Sequence, residues 1–189
     1  MMKNLFQILC GLFLVVSYSS CMHSEEDKVD VLIIGGGASG VTSGIQSARM
    51  GANTLILEES TWLGGMLTSA GVSAVDGNYR LPAGLWGEFK NRLSDYYGGL
   101  DSLKTGWVSN VLFEPSVGNK ILHEMVAAEN NLKVWKQACL EEVKRTGDEW
   151  VAKVKVEGQG VKTVRAKVMI DATELGDVAK VCGVKYDCL

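Results

Sequence analysis

A chain of 189 residues, 47% of them hydrophobic and only 7% aromatic, is long enough for one sizeable core and too apolar to remain unfolded. Its formal net charge of -3 leaves no broad basic surface, which argues against a nucleic-acid partner on electrostatic grounds. Twenty-two Gly against two Pro, without a collagen-like period, point to several places where backbone turns sharply or approaches something closely.

Lys3, the apolar run Leu5 to Val16 and the small residues before Cys21 form a secretory-type signal over residues 1–20. The run is shorter than the roughly 20 apolar residues that a spanning helix needs. Cys21 directly after the small residues makes the segment resemble a bacterial lipoprotein signal. Lipidation at Cys21, export and membrane anchoring in the cell envelope would follow, with an ordinary cleaved signal or an uncleaved anchor as the alternatives. Residues 21–28 are polar and charged and read as a tether, His23 included, leaving residues 29–189 as the folded domain. Cys139, Cys182 and Cys188 contain no Cys-x-x-Cys pair and have no His nearby, so no metal site is predicted. The sequence does not choose between a disulfide among them and buried free thiols.

Val29 to Ile34 is a nearly continuous apolar run, the pattern of a parallel strand buried on both faces. Ala38 to Met50 carries Val41, Ile45 and Ala48 at helical spacing with Gly51 beyond its end, and Thr54 to Leu57 reads as a second strand. Together they have the proportions of a βαβ crossover. A glycine-rich loop extends to about Pro82. Helices follow over Leu85 to Tyr97 and Pro115 to Glu129, the second opened by proline in its first turn. His123 lies off the apolar stripe of that helix and reads as a solvated residue. "NLKVW" reads as a strand, and Leu140 to Arg145, Trp150 to Val156 and Val161 to Arg165 as an antiparallel meander wet on one face. A separate apolar run, "VMI", then enters "DATELGD" and a helix start.

Gly35, Gly37 and Gly40 form Gly-x-Gly-x-x-Gly between a predicted strand and a predicted helix, with Gly36 and Ser39 in the same turn. Gly35 permits the tight turn, Gly37 lets a pyrophosphate approach bare backbone, and Gly40 lets helix and strand pack closely. The free N–H groups at the helix start then face an anion. Gly44, one turn on, is expected to pack against the sheet. Glu58 lies 18 residues beyond Gly40, where a carboxylate accepts hydrogen bonds from both ribose hydroxyls of an adenosine. Alternation turns Glu59 the other way, and the carboxylate would repel the 2′-phosphate of NADP. NAD and FAD share this unit, so the choice between them must come from elsewhere.

"DVLIIGGGASGVTSGIQSARMGANTLILEE", "LGGMLT", "FEPSV" and "IDATELGDVAKVCGVKY" resemble the FAD-dependent oxidoreductases of the glutathione-reductase-like flavoprotein fold. Within these the chain is most similar to the group of heterodisulfide reductase A-like proteins. The resemblance spans Val29 to Tyr186 and implies an α/β fold: a Rossmann-like FAD-binding parallel sheet whose later crossover is a three-stranded antiparallel meander. It implies that Gly64 and Gly65 run near the flavin side of the pyrophosphate and that Leu140 lies near the adenine. It also implies that Ala172 and Thr173 pass close to the cofactor and that Gly176 and Asp177 meet its polar spine. Glu174 stands where glycine is common in related motifs.

With FAD held, the flavin would carry hydride or electron transfer on an unknown small molecule, and no catalytic side chain is singled out. Cys182, in an apolar helix, reads as a core thiol. The resemblance further implies a substrate-binding region and a closing segment after "DATELGD", so the fold is expected to be incomplete at the C-terminus, its flavin site open and the short chain inactive. Three classes of function follow. One is a membrane-tethered oxidoreductase; another is a cofactor-binding module that needs a partner polypeptide, such as an iron-sulfur protein; the third is a structural lipoprotein. Substrate identity does not follow from the fold.

Overall fold

The computed structural model describes residues 26–77 and 79–185. The leader, Cys21 and residues 21–25 of the tether lie outside the described residues, as does Cys188. Strand β1 (Glu26–Ile34) begins three residues before the predicted domain start. Glu26, Asp27 and Lys28 align with Thr163, Val164 and Arg165, and Arg165 forms an ion pair with Glu26 at 2.8 Å, so the end of the expected tether is sheet. The polar composition of this segment is that of a sheet margin, which periodicity alone does not distinguish from a linker.

Helix α1 (Ala38–Arg49), strand β2 (Thr54–Glu58), helix α2 (Gly84–Tyr97), helix α3 (Pro115–Ala127) and strand β3 (Leu132–Lys136) follow within a few residues of the expected bounds. Strands β4 (Ala138–Thr146), β5 (Glu149–Val156) and β6 (Gly160–Asp171) and the short helix α4 (Asp177–Val181) complete the chain order. The six strands form one sheet in the order β3-β2-β1-β6-β5-β4. β1 is parallel to β2 and β6, β2 is parallel to β3, and β4, β5 and β6 are antiparallel neighbours. Here the structure differs from the sequence reading. The third meander strand and the "VMI" strand are one continuous β6, which pairs with β5 along its first half and with β1 along most of its length. The stretch Arg165 to Lys167 looked like a break because two charged side chains flank the buried Ala166; Arg165 reaches Glu26 at 2.8 Å and Lys167 reaches Asp30 at 2.6 Å.

Two apolar layers flank the sheet. On one face Ile33 and Ile56 meet Val41 and Ile45 of α1, Phe89 and Leu93 of α2, and Ile121 and Met125 of α3. On the other, Leu32, Ile34, Leu55 and Leu57 meet Ala152, Val154 and Val156 of β5, with Val178 of α4. Full burial of such aliphatic side chains contributes about 1.5–3 kcal/mol each. The strand β1 run was continuous because both layers draw on it. Gly44 allows α1 to lie close to this sheet: a Cβ there would stand 2.5 Å from Ile56 Cδ1. Arg49 ties the C-terminal end of α1 to α2 and to the chain just beyond α3, reaching Glu88 at 2.9 Å and Glu129 at 2.7 Å.

Candidate functional site

The turn from β1 into α1 lies where the parallel strands end, the position at which open α/β sheets bind ligands. Gly35 has φ +106°, and its N–H donates to Leu57 O at 2.9 Å. A Cβ on Gly35 would stand 2.4 Å from Ala172 O, so the end of β6 passes directly over it. A Cβ on Gly40 would stand 1.9 Å from Gly35 O. Gly37 behaves differently. Its backbone is extended (φ -64°, ψ -175°), and a Cβ built there would meet nothing within 4 Å. It caps α1 without a side-chain hydrogen bond, and the first turn holds no acid, so the orphan N–H groups of the helix start face open space.

Glu58 closes this turn from the side. Its Oε2 accepts the Gly36 N–H at 2.7 Å and its Oε1 accepts the Ser60 N–H at 2.7 Å. A carboxylate has about four acceptor positions, so capacity remains for two further donors. The loop after β2 forms the opposite wall. Gly64 N–H donates to Gly36 O at 2.8 Å, Gly37 and Gly64 form a parallel bridge, and a Cβ on Gly65 would stand 3.2 Å from Gly37 Cα.

These elements enclose a cavity of about 700 Å³, lined by Gly35, Gly36, Gly37 and Ser39, by Glu58, Gly64 and Gly65, and by Leu140, Ala172, Thr173 and Asp177. Such a volume falls within the usual range for small-molecule sites. Two predicted residues are not on its wall. Gly40 lies beneath the turn, and Gly176, in the left-handed conformation at φ 70°, caps α4 behind it. Glu59 does line the cavity, contrary to the alternation argument, because the strand ends at Glu58 and period two ends with it. Of these two carboxylates it is Glu58 that hydrogen-bonds the glycine turn. His123 lies on α3 away from the cavity, where burial and then Lys136 hold its imidazole below the usual value.

Met66, Ser69, Ala138 and Leu175 also line the cavity. Asp171, a further residue that sequence reasoning passed over, organises the loop after β6. Its Oδ1 accepts from the Thr173 N–H at 3.0 Å and the Thr173 hydroxyl at 2.7 Å, and its Oδ2 accepts the Ala179 N–H at 2.7 Å. Burial pushes this carboxyl up, and the hydrogen bonds from Thr173, Ala179 and Val178 outweigh burial, leaving it below the ordinary aspartate value. Asp171 accepting the N–H two residues on is an Asx turn, and an Asp where an apolar run gives way to a turn is a local pattern from which it was detectable. Cys139 and Cys182 are free thiols, Cys139 exposed and Cys182 half-buried at the end of α4. Among the described residues no group of three or more His, Cys, Asp or Glu could hold a metal ion, and no helix is long and apolar enough to cross a membrane.

Among the described residues no Lys or Arg lines the cavity, whereas Glu58, Glu59, Glu174 and Asp177 do, so the attraction it offers an anion is that of the backbone N–H groups at the α1 terminus. That donor set suits a diphosphate approached along bare backbone, with Glu58 placed for neighbouring hydroxyls. Comparison with known proteins agrees in kind. The family model described as FAD dependent oxidoreductase matches residues 30–188. No curated protein matches the chain. Among solved structures, p-nitrophenol 4-monooxygenase PnpA from Pseudomonas putida DLL-E4 is similar at TM-score 0.57 and 14% identity, over 86% of this chain and 46% of its own. OxyS anhydrotetracycline hydroxylase from Streptomyces rimosus is similar at TM-score 0.62 and 14% identity, over 86% of this chain and 35% of its own. A flavoprotein/dehydrogenase from Cytophaga hutchinsonii is similar at TM-score 0.59 and 18% identity, over 86% of this chain and 43% of its own. The chain thus spans less than half the length of each of these structures.

Proposed function

Because the chain belongs to the FAD-dependent oxidoreductase family, with FAD as its cofactor, we propose that the cavity at the β1–α1 turn holds FAD for oxidation or reduction of a small molecule. The observation that carries this reading is the open cradle at Gly37, bare of Cβ and facing the uncapped start of α1. Gly36, Gly37, Ala38 and Ser39 would meet the pyrophosphate, Glu58 the ribose, Leu140 the adenine, and Gly64 with Gly65 the flavin side. Ala172, Thr173 and Asp177 would line the path between the two ends, with Gly40 and Gly176 shaping it from behind. When bound, FAD supplies two-electron chemistry at its flavin ring. The protein's share is to hold the diphosphate on backbone donors and to orient the Glu58 carboxylate through the Gly36 and Ser60 N–H groups.

The finer assignment, a glutathione-reductase-like flavoprotein of the heterodisulfide reductase A-like group, is supported by the antiparallel meander that links β3 to the parallel strand β6. Titration with FAD tests the reading. The parent should bind, and Glu58→Ala should weaken binding about tenfold, since it removes ribose acceptors and leaves the Gly36 N–H without its partner. A parent that leaves the flavin spectrum unchanged on mixing would refute FAD binding by this chain.

A second reading, a cofactor module that works with a partner polypeptide such as an iron-sulfur protein, draws on one feature. Leu175 lines the cavity and is 85% exposed, which leaves that side uncovered. Turnover by the chain alone with a soluble electron acceptor would argue against it. The envelope location extends the proposal. Cys21 follows a signal-like leader, and two acyl chains at about 0.8 kcal/mol per buried CH₂ would anchor the domain on a membrane. Labelled palmitate should enter the parent and not Cys21→Ser, and equal labelling would reject the anchor.

A further inference from the structure

The two walls of the cradle come from segments with no covalent reason to stay in register. The β1–α1 turn is held by the sheet. The Gly64–Gly65 loop follows β2 after five residues outside any regular element, and it is held from a third direction. Asn119 lies on α3, outside every cofactor motif in the sequence, and its Oδ1 accepts the Leu63 N–H at 2.9 Å. The same residue is gripped on its other side, where the Thr68 hydroxyl donates to Leu63 O at 2.5 Å. Leu63 is fully buried, so both of its backbone groups need these partners. The next residue, Gly64, is the one whose N–H reaches Gly36 O. A Cβ on Gly64 would stand 2.6 Å from Leu122 Cδ1 and 2.8 Å from Thr68 Oγ1, so the loop sits directly on α3.

We propose that Asn119 is a positioning residue for cofactor binding: through Leu63 it fixes the Gly64–Gly65 backbone against the Gly36–Gly37 turn, so that helix α3 sets the width of the diphosphate cradle. This rests on the FAD reading above. A cradle made of backbone donors cannot adapt by rotamer changes, and a loosened wall loses affinity through the cost of ordering it on binding. Asn119 lines no part of the cavity, so it acts only through the loop.

The experiment uses the full chain in about 0.3 M salt, where charge added by substitution is largely screened. FAD is titrated into the parent, Asn119→Leu, which removes the acceptor, and Asn119→Asp, which keeps it. Amide hydrogen exchange is followed at residues 63–65 without ligand. Asn119→Leu should bind FAD about tenfold more weakly and exchange faster at Leu63 and Gly64, with Asn119→Asp close to the parent in both. Should Asn119→Leu fail to fold, Thr68→Val, which removes the other grip on Leu63, is expected to give the same pattern. Asn119→Leu binding as tightly as the parent, or Asn119→Asp failing as badly as Asn119→Leu, overturns the proposal. A parent that binds no FAD overturns it together with the reading it rests on, whereas normal binding by the parent and by Asn119→Leu overturns this inference alone.

Discussion

Gly37→Val should abolish retention of FAD while the protein stays folded. Gly37 has an extended backbone that any L-residue adopts, and a Cβ there meets no protein atom within 4 Å. The cost to the fold is confined to a poorer N-cap, about 1 kcal/mol or less, which lowers Tm by no more than about 4 °C. The space the side chain enters is the space proposed for the diphosphate. Among the described residues no Lys or Arg lines the cavity to hold the anion from another direction, so losing the helix-start N–H groups removes the main attraction. Charge-assisted hydrogen bonds contribute about 1.5–3 kcal/mol each, and losing two weakens FAD at least a hundredfold on the scale of about 1.4 kcal/mol per decade. Equilibrium dialysis and a melting curve on the same preparation check both halves. Near-normal FAD retention would show that the diphosphate lies elsewhere.

Gly35→Ala should do the reverse and break the fold before it affects a ligand. At φ +106° an L-residue is strained, and the added Cβ would stand 2.4 Å from Ala172 O and 2.7 Å from Ala172 C, both of them backbone atoms. Such atoms cannot swing aside like the end of a side chain. Backbone strain of about 1–3 kcal/mol and overpacking of about 1–3 kcal/mol together consume much of the 5–15 kcal/mol by which a domain is stable. Urea denaturation without FAD should show a midpoint far below that of the parent. An unchanged midpoint would mean that the end of β6 does not cross the turn. Measured side by side, the two variants separate a glycine needed by the fold from one needed by the ligand, although they lie two residues apart in one motif.

That separation also marks how far a motif can be read. The spacing of Gly35, Gly37 and Gly40 located the turn, and the structure places Glu58 beside it, where its carboxylate accepts the Gly36 N–H. The proposed ribose role would share that carboxylate with two backbone N–H groups, a duty visible only once β1 and β2 are in register. Asp171 could have been found from its local Asx pattern. Asn119 could not, since it meets Leu63 across 56 residues of chain with nothing in either neighbourhood to announce it.

By itself the sequence determined the elements and their chemistry: the doubly buried strand β1, the glycine turn, the amphipathic helices and the alternating strand β5. Each is decided within a window of a few residues by backbone freedom and by which side chains must leave water. The tertiary structure alone decided that β6 is one strand shared by two neighbours, that Glu26 to Lys28 are sheet, and that Glu59 reaches the cavity. It also decided that α3 carries one wall of the site. Glu59 follows from where β2 ends, and the physical reason is common to the other three. A hydrogen-bond partner or a clash depends on the register between segments distant in the chain, and no local propensity contains that register.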